Sequence, residues 1–305
     1  MTIPVHLSPN QRATRRFIRN RPAAMAGMLF IAFFLFLLLH PIFSDQSANT
    51  IGDLVHVPPT WKNWCGTDAH GRDLLARLVY GSKISLLVGA IGASVSLVFG
   101  VCWGALSGYI GGKWDSVMMR IVDVLYSLPS IIFVIVIITT LEGLFKSWIS
   151  QRLSPAAGEV TRLLFLFAGL GAVSWLTMAR IVRGQVLSLR NRGFVEASRT
   201  MGGSHFHILR KHIFPNIVGV VIVYLTLTVP SIILYESFLS YLGLGIQPPQ
   251  ASLGSLLAEG AGQINPIQIH WWMLVFPAGF LVFMLLLLNF IGDGLRDAFD
   301  PRAEE

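Results

Sequence analysis

The sequence predicts an all-α, polytopic membrane protein with six transmembrane helices and both termini on the cytoplasmic side. Three observations lead there. Of the 305 residues, 53% are hydrophobic and only 13% are charged, a balance outside that of soluble globular domains. The apolar residues gather into runs long enough to cross a bilayer. The basic residues lie between those runs, so the net charge of +7 reflects topology rather than a basic face for nucleic acid. The expected surroundings are a lipid bilayer, with no nucleic-acid partner.

A hydrocarbon core about 30 Å thick needs about 20 apolar residues in helical form, and it offers no partner to an unpaired backbone group. The charge-poor runs that meet this requirement are 23–43, 84–110, 117–141, 163–183, 217–240 and 272–292. The first follows Arg12, Arg15, Arg16, Arg19 and Arg21; it is too long for a signal-peptide core and lacks a small-x-small cleavage site, so it reads as an uncleaved span. With the N-terminus inside, 16 of the 23 Lys and Arg residues fall on the cytoplasmic side, as the positive-inside rule requires. The chain then divides into a cytoplasmic segment 1–22, a first span 23–43, an extracytoplasmic segment 44–83, a membrane core 84–292 and a cytoplasmic tail 293–305. Segments 142–162 and 241–271 also fall outside, and 184–216 is the largest cytoplasmic loop. No repeat of roughly 20 to 50 residues and no inverted duplication is visible.

Within the second run, Gly100, Gly104 and Gly108 recur at four-residue spacing, with Gly89 and Gly92 upstream. One helix face is therefore bare backbone, suited to close packing within the bundle or to a subunit contact. Two cysteines, Cys65 and Cys102, the second inside an apolar run, provide no disulfide framework.

The stretch EASRTMGGSHFHILRKHIFPN, 196–216, breaks the apolar pattern. Phe206, Leu209 and Ile213 recur at helical spacing, Gly202 and Gly203 interrupt, Ser204 suits a cap, and Pro215 is placed to end the second helix. The pattern predicts helix, turn, helix. Such a segment is too polar to insert and regular enough to present a firm protrusion to a cytosolic partner; the plainer alternative is a solvated connector.

The residues Glu196-Ala197-Ser198, Gly202 six positions after the glutamate, and His212-Ile213-Phe214-Pro215-Asn216 resemble the EAA loop of ABC-importer permeases, with Ser198 where the second alanine is usual. GTDAHGRDLLARLVYGSKISLLVG, 66–89, resembles the outer-face signature of the dipeptide and oligopeptide permease subfamily, and FLSYLGLG and NFIGDGLRDAFDP resemble its fifth span and C-terminal end. Taken with GGKWDSVMMR and SWLTMARIVRGQVLSLR, the chain is most similar, from about residue 12 to 302, to the C-type permease subunit of an oligopeptide importer. Cys65 stands where that family more often has a bulky apolar residue.

The resemblance implies a type I ABC-importer permease fold in a bacterial inner membrane. It implies as partners a homologous B-type permease, two cytoplasmic ATPases that carry the ATP and Mg, an extracytoplasmic peptide-binding protein and a peptide cargo. It also implies that Glu196, in the motif with Ala197 and Ser198, makes a polar contact with the ATPase, and that Gly202 permits the turn. Phe206, Leu209 and Ile213 would fill the apolar part of the ATPase cleft, and Pro215 and Asn216 would return the chain to the fifth span.

Other residues bear on chemistry. No G-x-x-x-x-G-K-[ST] run occurs, so this chain has no P-loop and energy must come from another. His205 and His207 lack the ligands that would complete a metal set and read as surface histidines. Glu236, with Pro230 placed to break the helix before it, reads as a hydrogen-bonded lock between helices or as a residue lining the peptide path. Arg120 and Asp123, three apart, are expected to pair along one helix face. Asp68, Arg72, Asp73 and Arg77 either fix the outer segment against the bundle or receive a binding protein. Trp271 and Trp272 read as an interfacial anchor.

These features point to a non-catalytic permease half of an ABC importer for oligopeptides. Dipeptides, antimicrobial peptides and metal chelates are alternative cargoes. A self-sufficient channel or ion-coupled carrier would need a lined ion route or paired buried charges, and a membrane enzyme would need a nucleophile and base or a metal cluster at membrane depth.

Overall fold

A computed structural model of the chain describes residues 9–44, 46–152, 155–264 and 268–299. The start of the expected segment 1–22, the end of the tail 293–305 with Arg302, and short pieces of the three expected outer segments lie outside the described residues. Among the described residues every regular element is helical, and extended pairing is confined to the isolated bridges Thr67 with Asp73 and Ile264 with Ile269.

Helix α1 spans Pro9–Arg19 and α2 spans Arg21–Phe43. Asn20 caps α2, its side-chain oxygen accepting from the Ala23 N–H at 3.3 Å, and Pro22 fills the first turn, where a missing donor is no loss. After an irregular stretch, α3 runs from Leu74 to Ile110. It begins earlier than its apolar run because Asp73 accepts from the Ala76 N–H at 2.8 Å and supplies a cap. Gly111 and Gly112, at φ of +68° and +61°, turn the chain into α4, Gly112–Ser127.

The expected third span, 117–141, is not one helix. Helix α4 and the following α5, Ser130–Arg152, meet at a bend of 93°. Leu128 is extended at ψ 138°, the conformation forced on a residue before proline, and Pro129 then starts a new direction. Next come α6, Pro155–Arg190, and α7, Gly193–Thr200. A short α8, His205–Ile208, passes through a π-helical turn, Leu209–Ile213, into α9, Phe214–Tyr241. Helix α10, Leu253–Gly262, lies within the stretch expected to be an outer loop, closed by a reciprocal cap between Ser252 and Ser255; α11, Trp272–Phe299, follows. Five helices among the described residues are long and apolar enough to cross a membrane, and the bent α4–α5 pair makes six if it counts as one span. Met25, Met28 and Ile31 of α2 and Val98 and Phe99 of α3 are exposed, as suits contact with hydrocarbon or another subunit rather than water.

The chain forms two units. One comprises Arg15–Ala90 and Val229–Gly294. Its core joins Phe33 and Leu37 of α2, Leu74 and Leu78 of α3, Ile233 of α9, Leu253 and Leu256 of α10, and Met273 and Met284 of α11. The other is built around Ile91–Thr228, and its core joins Ala105 and Tyr109 of α3, Met178, Val182 and Val186 of α6, Val195 of α7, and Ile208, Ile213 and Ile217.

In the second unit the glycine stripe of α3 lies against α6. A methyl group on Gly100 would sit 2.5 Å from the Met178 Cβ, and on Gly108 2.8 Å from the Arg183 carbonyl oxygen; on Gly104 it would collide with the carbonyl of Ala179. Of the two uses open to the stripe, packing within the chain is the one realised. Replacing Gly104 with Leu should therefore lower the thermal unfolding midpoint in detergent, with an overpacking cost of about 1–3 kcal/mol. Gly184→Ala, where an added methyl meets nothing within 4 Å, should leave the midpoint unchanged or raise it.

Candidate functional site

The polar stretch is an ordered elbow. In α7, Val195 and Ser198 face inward and are buried, while Glu196, Ala197 and Arg199 are exposed. The helix stops at Gly202, whose φ of +83° is open to glycine without strain. Gly202 donates to the Arg199 carbonyl at 3.1 Å and Gly203 to the Ser198 carbonyl at 2.9 Å, the two bonds of a Schellman cap. Ser204 then starts α8, its hydroxyl accepting from the His207 N–H at 3.2 Å.

The next turn corrects the expected apolar face. Ile208, Ile213 and Ile217 are all buried to within 1% of full enclosure, although the first two are five residues apart. In an α-helix five residues rotate a side chain by about 140° away from its starting face. The π turn, with the Phe214 N–H donating to the Leu209 carbonyl, absorbs the extra residue and keeps both isoleucines inward. The expected trio is therefore split: Phe206 is 71% exposed, Leu209 is half-buried on the core, and Ile213 is enclosed. Pro215 does not end the helix. It sits in the first turn of α9 directly after the wide turn, and the Asn216 amide donates to the His212 carbonyl at 2.6 Å.

The elbow is anchored to its own unit. The Tyr109 hydroxyl at the end of α3 lies 2.9 Å from His205 Nδ1, and Arg190 donates to the carbonyls of Gly108 and Tyr109, each at 3.3 Å, satisfying the C-terminus of α3. Arg183 of α6 grips Asp115 of α4 through two bonds of 2.6 Å, and the Ser107 hydroxyl donates to the same carboxylate at 2.5 Å. Asp123 does not pair with Arg120. Arg180 of α6 reaches it at 2.8 Å, held over the Tyr126 ring at 4.1 Å, and a planar guanidinium stacked in this way outcompetes an exposed neighbour on the same helix. Asp115 escaped the sequence reading; its signal was a carboxylate at the start of one apolar run matched by an arginine at the end of another.

In the other unit a second polar cluster joins the outer-signature residues. Asp68 is buried and accepts from Arg72 at 2.6 Å and Arg77 at 2.8 Å. Burial alone would raise its pKa, but the N–H groups of Arg72 and His70 and the two guanidiniums outweigh it, so the carboxyl is held below its ordinary range. Arg77, almost fully enclosed, also grips Glu259 of α10, one of the two bonds being 2.9 Å. Asp73 accepts from Asn63 at 2.9 Å in addition to capping α3. These bonds tie the irregular stretch before α3 to α3 itself and to α10. Nearby, burial and Asp73 push the Cys65 thiol up to about 12. Trp272 is no interfacial anchor: it is buried in this core and donates to the Thr67 carbonyl at 3.2 Å, leaving Trp271 half-exposed beside it.

Glu236 is fully buried. It accepts from Ser240 at 2.6 Å and Ser85 at 3.1 Å, while those hydroxyls accept from the Ile246 N–H at 3.0 Å and the Leu253 N–H at 3.3 Å. The arrangement ties α3, α9 and the start of α10 together. Pro230 does not break α9, which runs unbroken to Tyr241; a membrane helix tolerates the lost backbone bond.

Apolar helices of membrane-crossing length, close-packed through small residues and carrying a structured polar elbow, define a multi-pass membrane protein. The chain belongs to the family described as the binding-protein-dependent transport system inner membrane component, which matches residues 100–305. It is 45% identical over 296 residues to the oligopeptide transport system permease protein OppC of Haemophilus influenzae, covering 96% of this chain and 88% of that protein. OppC of Escherichia coli K12 is 46% identical over 295 residues, covering 96% and 91%. The dipeptide transport system permease protein DppC of Bacillus subtilis is 43% identical over 300 residues, covering 97% and 87%. A solved inward-facing structure of the MetNI methionine ABC transporter aligns with a TM-score of 0.55 at 22% identity, over 74% of this chain and 97% of that one, which shows the shared fold.

Arg77→Ala removes one of the two guanidiniums on enclosed Asp68 together with the two-bond grip on Glu259, and should destabilise the protein by about 1–3 kcal/mol, read as a lowered midpoint in thermal unfolding. Arg77→Lys should recover only part, since an ammonium cannot grip Glu259 with two parallel bonds. Because the folded Asp68 pKa is depressed, its contribution is present above the unfolded value of about 3.9 and is lost as pH falls through the lower folded value. A pH series of unfolding midpoints should show the wild type losing stability on that acid side more steeply than Asp68→Asn.

Proposed function

We propose that the chain is a permease subunit of an ATP-driven importer for oligopeptides, contributing half of the translocation path in a bacterial inner membrane. The observation that carries this reading is the elbow at 193–216, locked by a Schellman cap and a buried isoleucine face, in a chain 45% and 46% identical to two oligopeptide permeases. The segregation of Lys and Arg supports cytoplasmic termini and a cytoplasmic elbow, with segments 44–83, 142–162 and 241–271 outside.

In this reading the complex holds a homologous B-type permease, two cytoplasmic ATPases and an extracytoplasmic peptide-binding protein. ATP and Mg act on the ATPases, and this chain hydrolyses nothing. Exposed Glu196 and Ala197 of α7 and Phe206 of α8 enter a cleft in one ATPase, while Ser198, Gly202 and Ile213 shape the elbow from within. Closure of the ATPases moves the clefts, and an elbow packed on α3 and α6 passes that displacement to the spans, so that access alternates between the two sides. The binding protein delivers peptide from outside and sets most of the side-chain preference. A dipeptide cargo is a second reading, favoured by the 43% identity to DppC; competition of uptake by dipeptides against longer peptides separates the two.

Glu196→Lys and Gly202→Pro should each abolish ATP-dependent peptide uptake in proteoliposomes while the protein still inserts. A proline, fixed near φ −65°, cannot adopt the +83° of Gly202. Normal uptake by both variants would refute the coupling role.

A further inference from the structure

Where α2 gives way to the irregular stretch, His40, Ser44, Ser47, Asn49, Tyr80 and Lys83 line a cavity of about 320 Å³. One wall is a single face of α3, since Ala76, Val79, Tyr80 and Lys83 recur at helical spacing. The other is the last turn of α2 and the chain leaving it. Ser44 Oγ accepts from the Gln46 N–H at 3.3 Å and Ser47 Oγ from the Asn49 N–H at 3.4 Å. Each hydroxyl thereby keeps its own proton for another acceptor. Lys83, half-buried in the α3 wall, pairs with no carboxylate among the described residues. Asp73, whose field reaches His40, is already engaged by Asn63 and the Ala76 N–H. The cavity thus presents a cation and hydroxyl donors, and what it lacks is a negatively charged acceptor.

Its depth selects the anion. His40 stands nineteen residues beyond Arg21, about 29 Å along α2 at about 1.5 Å per residue, one hydrocarbon thickness from the arginine-rich start of the chain. Around it Leu38, Leu39, Ile42 and Phe43 are exposed and apolar. A group bound here has its charge at headgroup level and aliphatic surface beside it. We propose that the cavity is a headgroup site for an anionic phospholipid in the leaflet opposite the N-terminus. Lys83 and the Ser44 and Ser47 hydroxyls hold its phosphodiester, and its acyl chains lie along α2. A compact ammonium with rotatable donors around it suits a phosphate oxygen, and basic pockets between membrane helices bind lipid headgroups through this chemistry. Free phosphate meets the same donors but gains nothing from the apolar flank. The proposal rests on the membrane embedding of the chain and not on the identity of its cargo.

The test takes the full chain, with the subunits that accompany it, in mild detergent and counts bound dioleoylphosphatidylglycerol by native mass spectrometry. Wild type should hold one such lipid more tightly than the rest. K83Q should weaken that binding about tenfold, K83R should recover most of it, and S44A/S47A should show a smaller loss. K62Q, which removes the same charge from outside the cavity, should leave it unchanged. Added lipid should raise the unfolding midpoint of wild type and not that of K83Q, with the two midpoints equal in its absence. Equal retention by wild type and K83Q overturns the proposal, as does an equal loss in K62Q. Asp45, next to Ser44 in sequence, lies outside the described residues; loss of the lipid in D45N would overturn the assignment to an anion, and unchanged or tighter binding supports it. Displacement by an equal concentration of inorganic phosphate refutes a lipid site in favour of a free-anion site. Loss of an accompanying protein chain from K83Q, at an unchanged lipid count, refutes it in favour of a subunit contact.

Discussion

An ionisable group enclosed among apolar helices has no water to fall back on, and the structure is organised by that constraint. Arg77 is shared between Asp68 and Glu259, Asp115 is gripped by Arg183, and Glu236 is surrounded by serine hydroxyls. Each partnership joins elements far apart in the chain: α3 with α10, α4 with α6, α9 with α3. Hydrophobic association contributes little selectivity between helices in hydrocarbon, because lipid tails are as apolar as leucine. The paired charges and the glycine contacts, both intolerant of misregister, therefore decide which helices meet.

The elbow shows the same economy at its own scale. Its two short helices are below the length at which an isolated helix is stable in water, so their order comes from caps and from burial. The Schellman cap at Gly202 ends one, the Ser204 cap begins the other, and Val195, Ile208 and Ile213 fasten both to α3 and α6. An element so fastened moves with the helices it rests on. That stiffness is the property a coupling role requires, and the exposed side chains are free to specify the partner.

Much of this was legible in the residues. Long apolar runs located the spans, because in hydrocarbon a helix is the only way for an open segment to satisfy its backbone. The glycine stripe announced a close approach, and Gly202 with Ser204 announced the turn. What escaped has common causes. A periodicity of 3.6 through residues 209–213 puts the apolar face on Phe206, whereas the wider turn there puts it on Ile208. The run 117–141 reads as continuous because hydropathy is blind to direction, although Pro129 stands within it. Helix α10 is too short to register as a span, and Arg180 lies 57 positions from Asp123 and Glu259 lies 182 from Arg77, beyond any local rule.

The enclosed Cys65 carries a consequence of its own. Burial and the nearby Asp73 raise its thiol to about 12, which disfavours the thiolate that reacts with electrophiles. It becomes a nucleophile only when water reaches it, which requires the stretch between α2 and α3 to part from α3 and α11. Alkylation at Cys65, read apart from that at the exposed Cys102, would therefore time the opening of that region, a stopwatch already built into the native chain.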